Sequence, residues 1–287
     1  MITVEATGPL ALLEDLGRPQ CAHLGVSPSG AADRSALRLA NRLVGNAEGA
    51  AAIETTFGGL VVVADELVWV AVTGAPTQVT VAGTPTASHT ALPLHPGERL
   101  AIEAPPEGVR NYLAVRGGIE VPAILGSRSS DVLSGLGPEP LRSAARLPIG
   151  QPRGRLPDVD QAPTVQPVKD LALWPGPRSD WFTASARDRL LTDSWMVTPD
   201  CDRVAVRLEG SPLDQRHSDE LPSEGLLRGA IQVPSSGQPL IFLSDHPVTG
   251  GYPVIGILSD RACDDAAQLR PGDSIRFRPA TRPGSDR

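Results

Sequence analysis

The chain has 287 residues, 40% of them hydrophobic and 21% charged, so it can bury one large core or two smaller ones. Its formal charge of −7 argues against a nucleic-acid partner, because no broad basic surface is available to bind a phosphate backbone. No apolar run is long enough to cross a membrane, and the first residues lack the basic and apolar regions of a signal peptide, so we expect a cytoplasmic protein without a membrane partner.

Short β-favouring runs separated by turn residues dominate the chain, in which glycine and proline occur 29 times each. This spacing predicts a mainly β fold of the barrel or sandwich type. In the first half, the predicted strands are residues 2–5, 52–57, 60–63, 67–72, 77–81, 99–103 and 112–116. In the second half, they are residues 171–174, 203–208, 227–233, 240–244, 254–259 and 274–278.

Two segments favour helices instead. Apolar residues recur at helical spacing in 31–44, where Ser29 can cap the start and Gly45-Asn46 can end the helix. The second predicted helix, residues 178–191, begins after Pro177 and carries Asp180 near its positive end. Each half of the chain is therefore expected to contribute one helix among many strands.

The segment from Pro148 to Pro167 contains five prolines and has no hydrophobic periodicity, which is typical of a linker. A Pro-Gly-acid turn followed by an alternating strand occurs on both sides of it, at 96–102 and 271–277. We therefore predict two similar β-barrel-like domains, residues 1–147 and 168–287, joined by the linker 148–167.

The rarest residue types limit the cofactor chemistry. Lys169 is the only lysine, and its neighbours do not form the Gly-Lys-Ser/Thr step of a Walker A loop or the tight turn that biotin attachment requires. Cys21, Cys201 and Cys263 include no C-x-x-C pair, so neither a disulfide framework nor a zinc site is indicated. We expect no metal and no attached biotin, and any ATP is expected to bind unconventionally or on a partner.

Two segments of the first half can bind a carboxylate or a phosphate. Arg18, Ser27 and Ser29 lie close to the start of the first helix, where backbone N–H groups and hydroxyls attract anions; a loop with a helix cap is the simpler interpretation. Arg128 and Ser129 lie in a Gly-Ser-Arg-Ser-Ser-Asp run, where a guanidinium between hydroxyls can form two parallel hydrogen bonds. A surface turn explains this run equally well.

Two segments of the second half carry acids, bases and donors between predicted strands. The first is a charged stretch with Arg203 and Glu224, which a solvated loop also explains. The second is denser in polar groups than a hairpin needs, and its paired glycines allow a ligand to approach the backbone. Its candidate residues are Gln232, Gln238, Asp245, His246, Thr249, Gly250, Gly251 and Tyr252.

Ten stretches, taken in order along both halves, resemble the allophanate hydrolase subunit 2, or KipA-like, family, whose members include the C subunit of 5-oxoprolinase and biotin-dependent carboxyltransferase-like domains. The stretches are residues 14–18, 25–33, 37–46, 112–122, 126–131, 175–182, 202–210, 229–239, 245–253 and 267–273. The resemblance implies two cyclophilin-like β-barrel domains, in agreement with the strand-rich pattern.

The resemblance also implies two partners: a subunit-1, or KipI-like, homologue, which is the B subunit of 5-oxoprolinase, and a larger protein of the LamB/YcsF type. Such complexes open the lactam of 5-oxo-L-proline to L-glutamate at the cost of ATP. Related domains form the carboxyl-transfer part of urea carboxylase, a biotin enzyme. Three functions stay open: a 5-oxoprolinase component, a carboxyltransferase component acting on urea or an amide, and a non-catalytic regulator that binds a KipI-like kinase inhibitor.

For lactam opening, a site must bind the substrate carboxylate, stabilise charge on the lactam oxygen and accept a proton from water. We expect Arg128 and Arg203 to bind anions, and the Gly250-Gly251 backbone to stabilise the charge on oxygen. Asp245 or Glu224 is the expected base. The other candidate residues above are expected to contact the substrate.

Overall fold

The computed structural model describes residues 1–158, 161–217 and 220–281. Within these ranges the chain forms 20 β-strands and three α-helices, which confirms the prediction of a mainly β fold with a few helices. No helix in this part of the chain combines the length and the hydrophobicity that a membrane span requires. The chain divides into two compact units: Met1–Cys21 with Pro28–Gln166, and Ala22–Ser27 with the chain from Pro167 onwards.

The first unit contains two antiparallel sheets. Its strands are β1 (Ile2–Thr7), β2 (Leu10–Glu14), β3 (Ala52–Thr56), β4 (Leu60–Ala64), β5 (Val68–Gly74), β6 (Val79–Val81), β7 (Thr84–Thr86), β8 (Ala91–Leu94), β9 (Arg99–Ile102), β10 (Arg110–Val115) and β11 (Arg146–Leu147). One sheet has the order β11-β1-β4-β9-β6-β7 and the other has the order β2-β3-β10-β5-β8. Side chains from both sheets, such as Val62 and Leu113, share one apolar core.

Helix α1 (Arg34–Leu43) covers the second face of the five-stranded sheet. Leu37 and Ala40 of the helix pack with Tyr112 of β10, so this strand is buried on both faces. The sequence was right about the helix but wrong about its cap: the Asp33 carboxylate, not Ser29, accepts a hydrogen bond from the backbone N–H of Ala36.

The second unit contains a closed barrel and a short two-stranded sheet. Its strands are β12 (Asp170–Pro175), β13 (Trp195–Val197), β14 (Ala205–Glu209), β15 (Glu224–Gly225), β16 (Ala230–Gln232), β17 (Leu240–Phe242), β18 (Thr249–Gly250), β19 (Val254–Leu258) and β20 (Ser274–Pro279). The barrel has the order β12-β19-β16-β17-β14-β13-β20 and closes through parallel pairing of β20 with β12. Strands β15 and β18 pair with each other.

The helices of the second unit differ from the prediction. The expected helix 178–191 is split: Ser179–Trp181 forms a 3₁₀ turn, Phe182 pairs with Gln215, and α2 (Ala184–Thr192) begins after a cap at Thr183. Helix α3 (Asp260–Ala266) was not predicted, because its buried positions include two aspartates that hide the apolar periodicity.

The proline-rich segment is attached to the first unit. The Ala162 N–H donates to the His89 carbonyl at 2.7 Å, and the Gln161 amide donates to the Ser88 carbonyl at 3.2 Å. The Arg116 guanidinium donates to the Gly154 carbonyl at 2.7 Å. The division between the units therefore falls at the end of this segment, after Gln166.

A buried hydroxyl holds the chain that leads into α1. Tyr112 donates to Glu54 at 2.7 Å and accepts from the Asp33 N–H at 2.7 Å, while the Ala32 N–H donates to the same carboxylate oxygen at 3.0 Å. Burial first, and then the charge of Glu54, raise the pKa of Tyr112 well above its usual value, so the hydroxyl stays protonated and donates.

Replacing Tyr112 with phenylalanine should destabilise the protein by about 1–3 kcal/mol, because two buried polar groups lose this partner while the ring is retained. Urea denaturation gives the measurement. Tyr252 is the matched control, since this residue is 49% exposed and its conversion to phenylalanine should change stability by less than about 0.5 kcal/mol. Equal stabilities of the two variants would contradict the role assigned to the hydroxyl.

Candidate functional site

In the first unit, hydrogen bonds to Asp15 join two segments that are far apart in the sequence, residues 15–17 and residues 127–129. One carboxylate oxygen accepts hydrogen bonds from the Ser127 hydroxyl at 2.7 Å, the Ser129 hydroxyl at 2.6 Å and the Gly17 N–H at 2.7 Å. The other oxygen accepts from the Arg128 N–H at 2.7 Å. Asp15 therefore fixes the loop that carries Arg128 and Ser129, a role that no sequence pattern had indicated.

Arg18 lies in the same region and is completely buried. One of its terminal nitrogens donates to the Ser129 carbonyl, while its Nε and Nη1 make no hydrogen bond with the described residues. Gly137 permits this approach, because a Cβ there would lie 2.0 Å from the Ser129 carbonyl oxygen. Buried donors without acceptors are costly, and a role of Arg18 in binding an anion stays a prediction.

Arg128 is less buried than Arg18. Its Nε donates to the Val121 carbonyl at 2.8 Å, and 37% of the side chain is exposed. It lines a cavity of about 470 Å³ in the first unit together with Arg153 and the Gly117-Gly118 turn. The Glu120 carboxylate, 4.0 Å from the Arg128 guanidinium, lines the same cavity, and anion binding by Arg128 stays a prediction.

The two candidate serines near α1 fall in different units. The Ser29 hydroxyl donates to the Ser130 carbonyl at 3.0 Å in the first unit, and Ser29 has a φ of 53°. The Ser27 hydroxyl donates to the Ser244 carbonyl at 3.2 Å in the second unit. The structure thus brings Ser29 towards the Arg128 loop and Ser27 towards Asp245.

Arg203 and Asp245 form a buried, bidentate ion pair in the second unit. The Arg203 Nε and Nη2 lie 2.9 Å and 3.2 Å from the two carboxylate oxygens, and the side chains are only 2% and 0% exposed. Both residues were predicted from sequence to act on a ligand. Their contacts favour a structural partnership, because each side chain neutralises the charge of the other inside the fold.

Glu224, the alternative base, is more accessible than Asp245. It accepts two hydrogen bonds from the Arg178 Nε, at 2.9 Å and 3.1 Å, and its side chain is 30% exposed. The hydrogen bond from Arg178 is the main cause that lowers the pKa of Glu224, so the carboxylate is ionised at neutral pH.

The pairing of β15 with β18 places other candidate site residues close to Glu224. Glu224 lies opposite Gly250, and Thr249 lies opposite Gly225. The Gln232 side-chain amide donates to the Tyr252 carbonyl at 2.9 Å. A Cβ at position 250 would lie 2.7 Å from the nitrogen of this amide, so a larger residue there would require the Gln232 side chain to shift.

Gln238 and His246 have local partners instead. The Gln238 amide exchanges hydrogen bonds with the backbone of Gly210, at 2.9 Å and 3.0 Å. The His246 Nδ1 lies 2.8 Å from the Pro247 carbonyl oxygen, and the side chain is buried. Both contacts stabilise turns, so the substrate contacts proposed for these two residues stay predictions.

A cavity of about 830 Å³ opens in the second unit beside Gly251 and Tyr252. Trp181 and His217 also line it, and sequence reasoning did not select either residue. The bridge between Phe182 and Gln215 brings Trp181 close to His217. The two residues are far apart in the sequence, so no local sequence pattern predicts that they meet. Within the described residues, no group of three or more His, Cys, Asp or Glu side chains is arranged to hold a metal ion.

Comparison with known proteins relates this chain to carboxyltransferase domains. The family model described as "Carboxyltransferase domain, subdomain A and B" matches residues 24–279. The 5-oxoprolinase C subunit of Escherichia coli is 36% identical over an alignment that covers 96% of this chain and 90% of that protein.

Solved structures give the same relationship. TTHA0988 superposes with a TM-score of 0.88 at 34% identity, over 96% of this chain and 55% of that chain. The urea carboxylase of Kluyveromyces lactis superposes with a TM-score of 0.89 at 29% identity, over 98% of this chain and 27% of that chain. This chain therefore spans only part of these two proteins but matches nearly the whole Escherichia coli protein.

Proposed function

Because this chain belongs to the family of carboxyltransferase domains with subdomains A and B, we propose that it is one component of an ATP-dependent 5-oxoprolinase. The complex would open the lactam of 5-oxo-L-proline to L-glutamate. The observation that supports this choice is the nearly full-length match to the 5-oxoprolinase C subunit of Escherichia coli. In urea carboxylase, by contrast, the matching region is a minor part of a longer chain.

We propose that the partners are a KipI-like protein and a LamB/YcsF-type protein, with ATP bound outside any Walker A loop of this chain. The only lysine supports this arrangement: the Lys169 ammonium lies 2.6 Å from the Asp273 carboxylate in a partly exposed ion pair. It is therefore engaged at the protein surface rather than placed over a phosphate-binding loop.

In the first unit, we assign the binding of an anionic reactant to Arg128; separately, in the second unit, we assign acceptance of a proton to Glu224. Arg128 faces a cavity, and Glu224 is ionised and partly exposed. We assign to the Gly250-Gly251 backbone the stabilisation of negative charge on the lactam oxygen, because glycine residues allow a ligand to approach the backbone closely. Asp245 is assigned to positioning Arg203, because it has no exposed surface.

The proposal is tested by co-expressing the chain with both partners and measuring ATP-dependent release of glutamate from 5-oxo-L-proline. The complete complex should be active, whereas the purified chain alone should not. Urea and acyclic amides serve as control substrates. Equal activity after omission of this chain, or turnover of urea in preference to the lactam, would contradict the proposal.

Arg128→Ala should lower kcat/KM of the complex by about 10–100-fold, because it removes a charge-assisted hydrogen bond worth about 1.5–3 kcal/mol. The fold should be retained, since much of the side chain is exposed. Arg142→Ala is the matched control: its side chain is 83% exposed and pairs with the neighbouring Glu139. Wild-type kcat/KM in the Arg128 variant would remove this residue from the site.

A carboxyltransferase function is the second candidate, and the TM-score with urea carboxylase favours it. It requires a biotin carrier and a carboxylase on other chains, because the only lysine of this chain is not in a biotin-attachment turn. Transfer of a carboxyl group from a supplied carboxybiotin carrier to urea, with no glutamate release in the assay above, would establish it instead.

A further inference from the structure

The cavity of about 830 Å³ in the second unit has a corner made of two aromatic rings. The ring centroids of Trp181 and His217 are 5.1 Å apart with 49° between the ring planes. Hydrogen bonds fix the backbone beneath this corner: the Arg216 N–H donates to the Trp181 carbonyl at 2.7 Å, and the Trp181 N–H donates to the Arg178 carbonyl at 3.0 Å. Tyr252 adds a third ring to the lining, so the aromatic surface is preformed.

The carboxylates among the residues that line this cavity are not accompanied by a lining lysine or arginine within the described part of the chain. These carboxylates belong to Asp214 and Glu220. Arg189 pairs with Asp214 at 2.6 Å, which leaves the exposed Glu220 as the charge most accessible to a ligand. Such a lining attracts cations.

A tight turn supplies hydroxyls to the same cavity. The Gly237 N–H donates to the Pro234 carbonyl at 2.9 Å, and the Leu213 N–H donates to the Gly237 carbonyl at 2.9 Å. The turn therefore holds Ser235 and Ser236 at the cavity surface, where both are exposed. Hydroxyl oxygens accept hydrogen bonds from N–H donors of a ligand.

We propose that this cavity binds a guanidinium group carried on an aliphatic stem. A planar cation stacks on the face of tryptophan, and guanidinium does so more readily than ammonium. Glu220 balances its charge, the hydroxyls of Ser235 and Ser236 accept its N–H groups, and the apolar lining contacts the stem. This binding function is separate from lactam opening. In it, Tyr252 contacts the guanidinium ligand rather than the lactam.

The test is ligand-observed NMR titration of the purified full chain with Nα-acetyl-L-arginine methylamide. The citrulline analogue has nearly the same shape but no charge, so it should bind about tenfold more weakly. A pentapeptide with arginine between two prolines distinguishes the sources: tighter binding than the amide indicates a polypeptide ligand, and equal binding indicates a free small molecule. Equal affinities for the arginine and citrulline probes would overturn the proposal.

Variants identify the cavity as the place of binding. Trp181→Leu should weaken binding of the arginine probe about tenfold, and Glu220→Gln about threefold, because the aromatic face and the opposite charge are lost separately. Trp174→Phe is the control: Trp174 lies on β12 of the same unit, is 36% exposed and does not line the cavity as the described residues define it. Wild-type affinity in Glu220→Gln and in a folded Trp181→Leu would also overturn the proposal.

Discussion

Arg203→Met should lower the free energy of unfolding by about 3–5 kcal/mol, because it leaves the buried Asp245 carboxylate without the guanidinium that binds both its oxygens. Asp245 has no exposed surface, so water cannot replace this partner unless the structure opens. Urea denaturation of the purified variant and of the wild type measures the difference.

Two controls distinguish the effect of breaking the buried ion pair on stability from the effect of removing any one positive charge. Arg142→Met removes an arginine from an exposed pair and should change stability by less than about 1 kcal/mol. The double variant Arg203→Met/Asp245→Leu removes both charges and should be more stable than Arg203→Met alone. If the double variant is the less stable of the two, the energetic argument for the pair is wrong.

Asp15→Asn should lower the free energy of unfolding by about 2–4 kcal/mol, because the amide nitrogen replaces an acceptor with a donor opposite existing donors. The Asp15 carboxylate accepts from two hydroxyls and two backbone N–H groups, so neither orientation of an asparagine amide satisfies them all. Thermal and urea denaturation measure the change.

The same variant should disorder the loop that carries Arg128, and this provides a second measurement. In the reconstituted complex, kcat/KM should decrease at temperatures where the variant is still folded, since the Arg128 backbone loses its anchor. Asp188→Asn is the control, because this exposed aspartate on α2 contacts Thr192 of the same helix through its backbone carbonyl. A folded Asp15→Asn complex with wild-type kcat/KM would contradict the positioning role.

The sequence by itself was sufficient to predict the strands and helices that have one apolar, buried face and one polar, exposed face. Strand β20 alternates between buried and exposed positions, and that alternation is visible in its residue order. Helix α1 was predictable for the same reason, since its apolar residues recur at helical spacing. The exclusion of a Walker A loop also needed only the sequence, because one lysine occurs.

Some elements that do not have one apolar and one polar face could not be predicted from the sequence, because their conformation depends on tertiary packing. Strand β2 (Leu10–Glu14) is buried over most of its length, so its run of apolar residues shows no period that identifies a strand. Helix α3 was missed because Asp264 and Asp265 are buried by ion pairs with Arg228 and Arg261, at 2.7 Å and 3.0 Å. Burial of charge depends on a partner that the local sequence does not identify.

The candidate site shows the same division. The sequence selected the Arg128 loop for its guanidinium between hydroxyls and the Gly250-Gly251 segment for its density of polar groups, and both assignments stay predictions. It did not identify Asp15, whose partner Ser129 lies 114 residues further along the chain, or the pairing of Arg203 with Asp245, 42 residues apart. A carboxylate becomes a loop anchor or a partner in a buried ion pair only through contacts that the folded chain creates, so tertiary structure alone decided these roles.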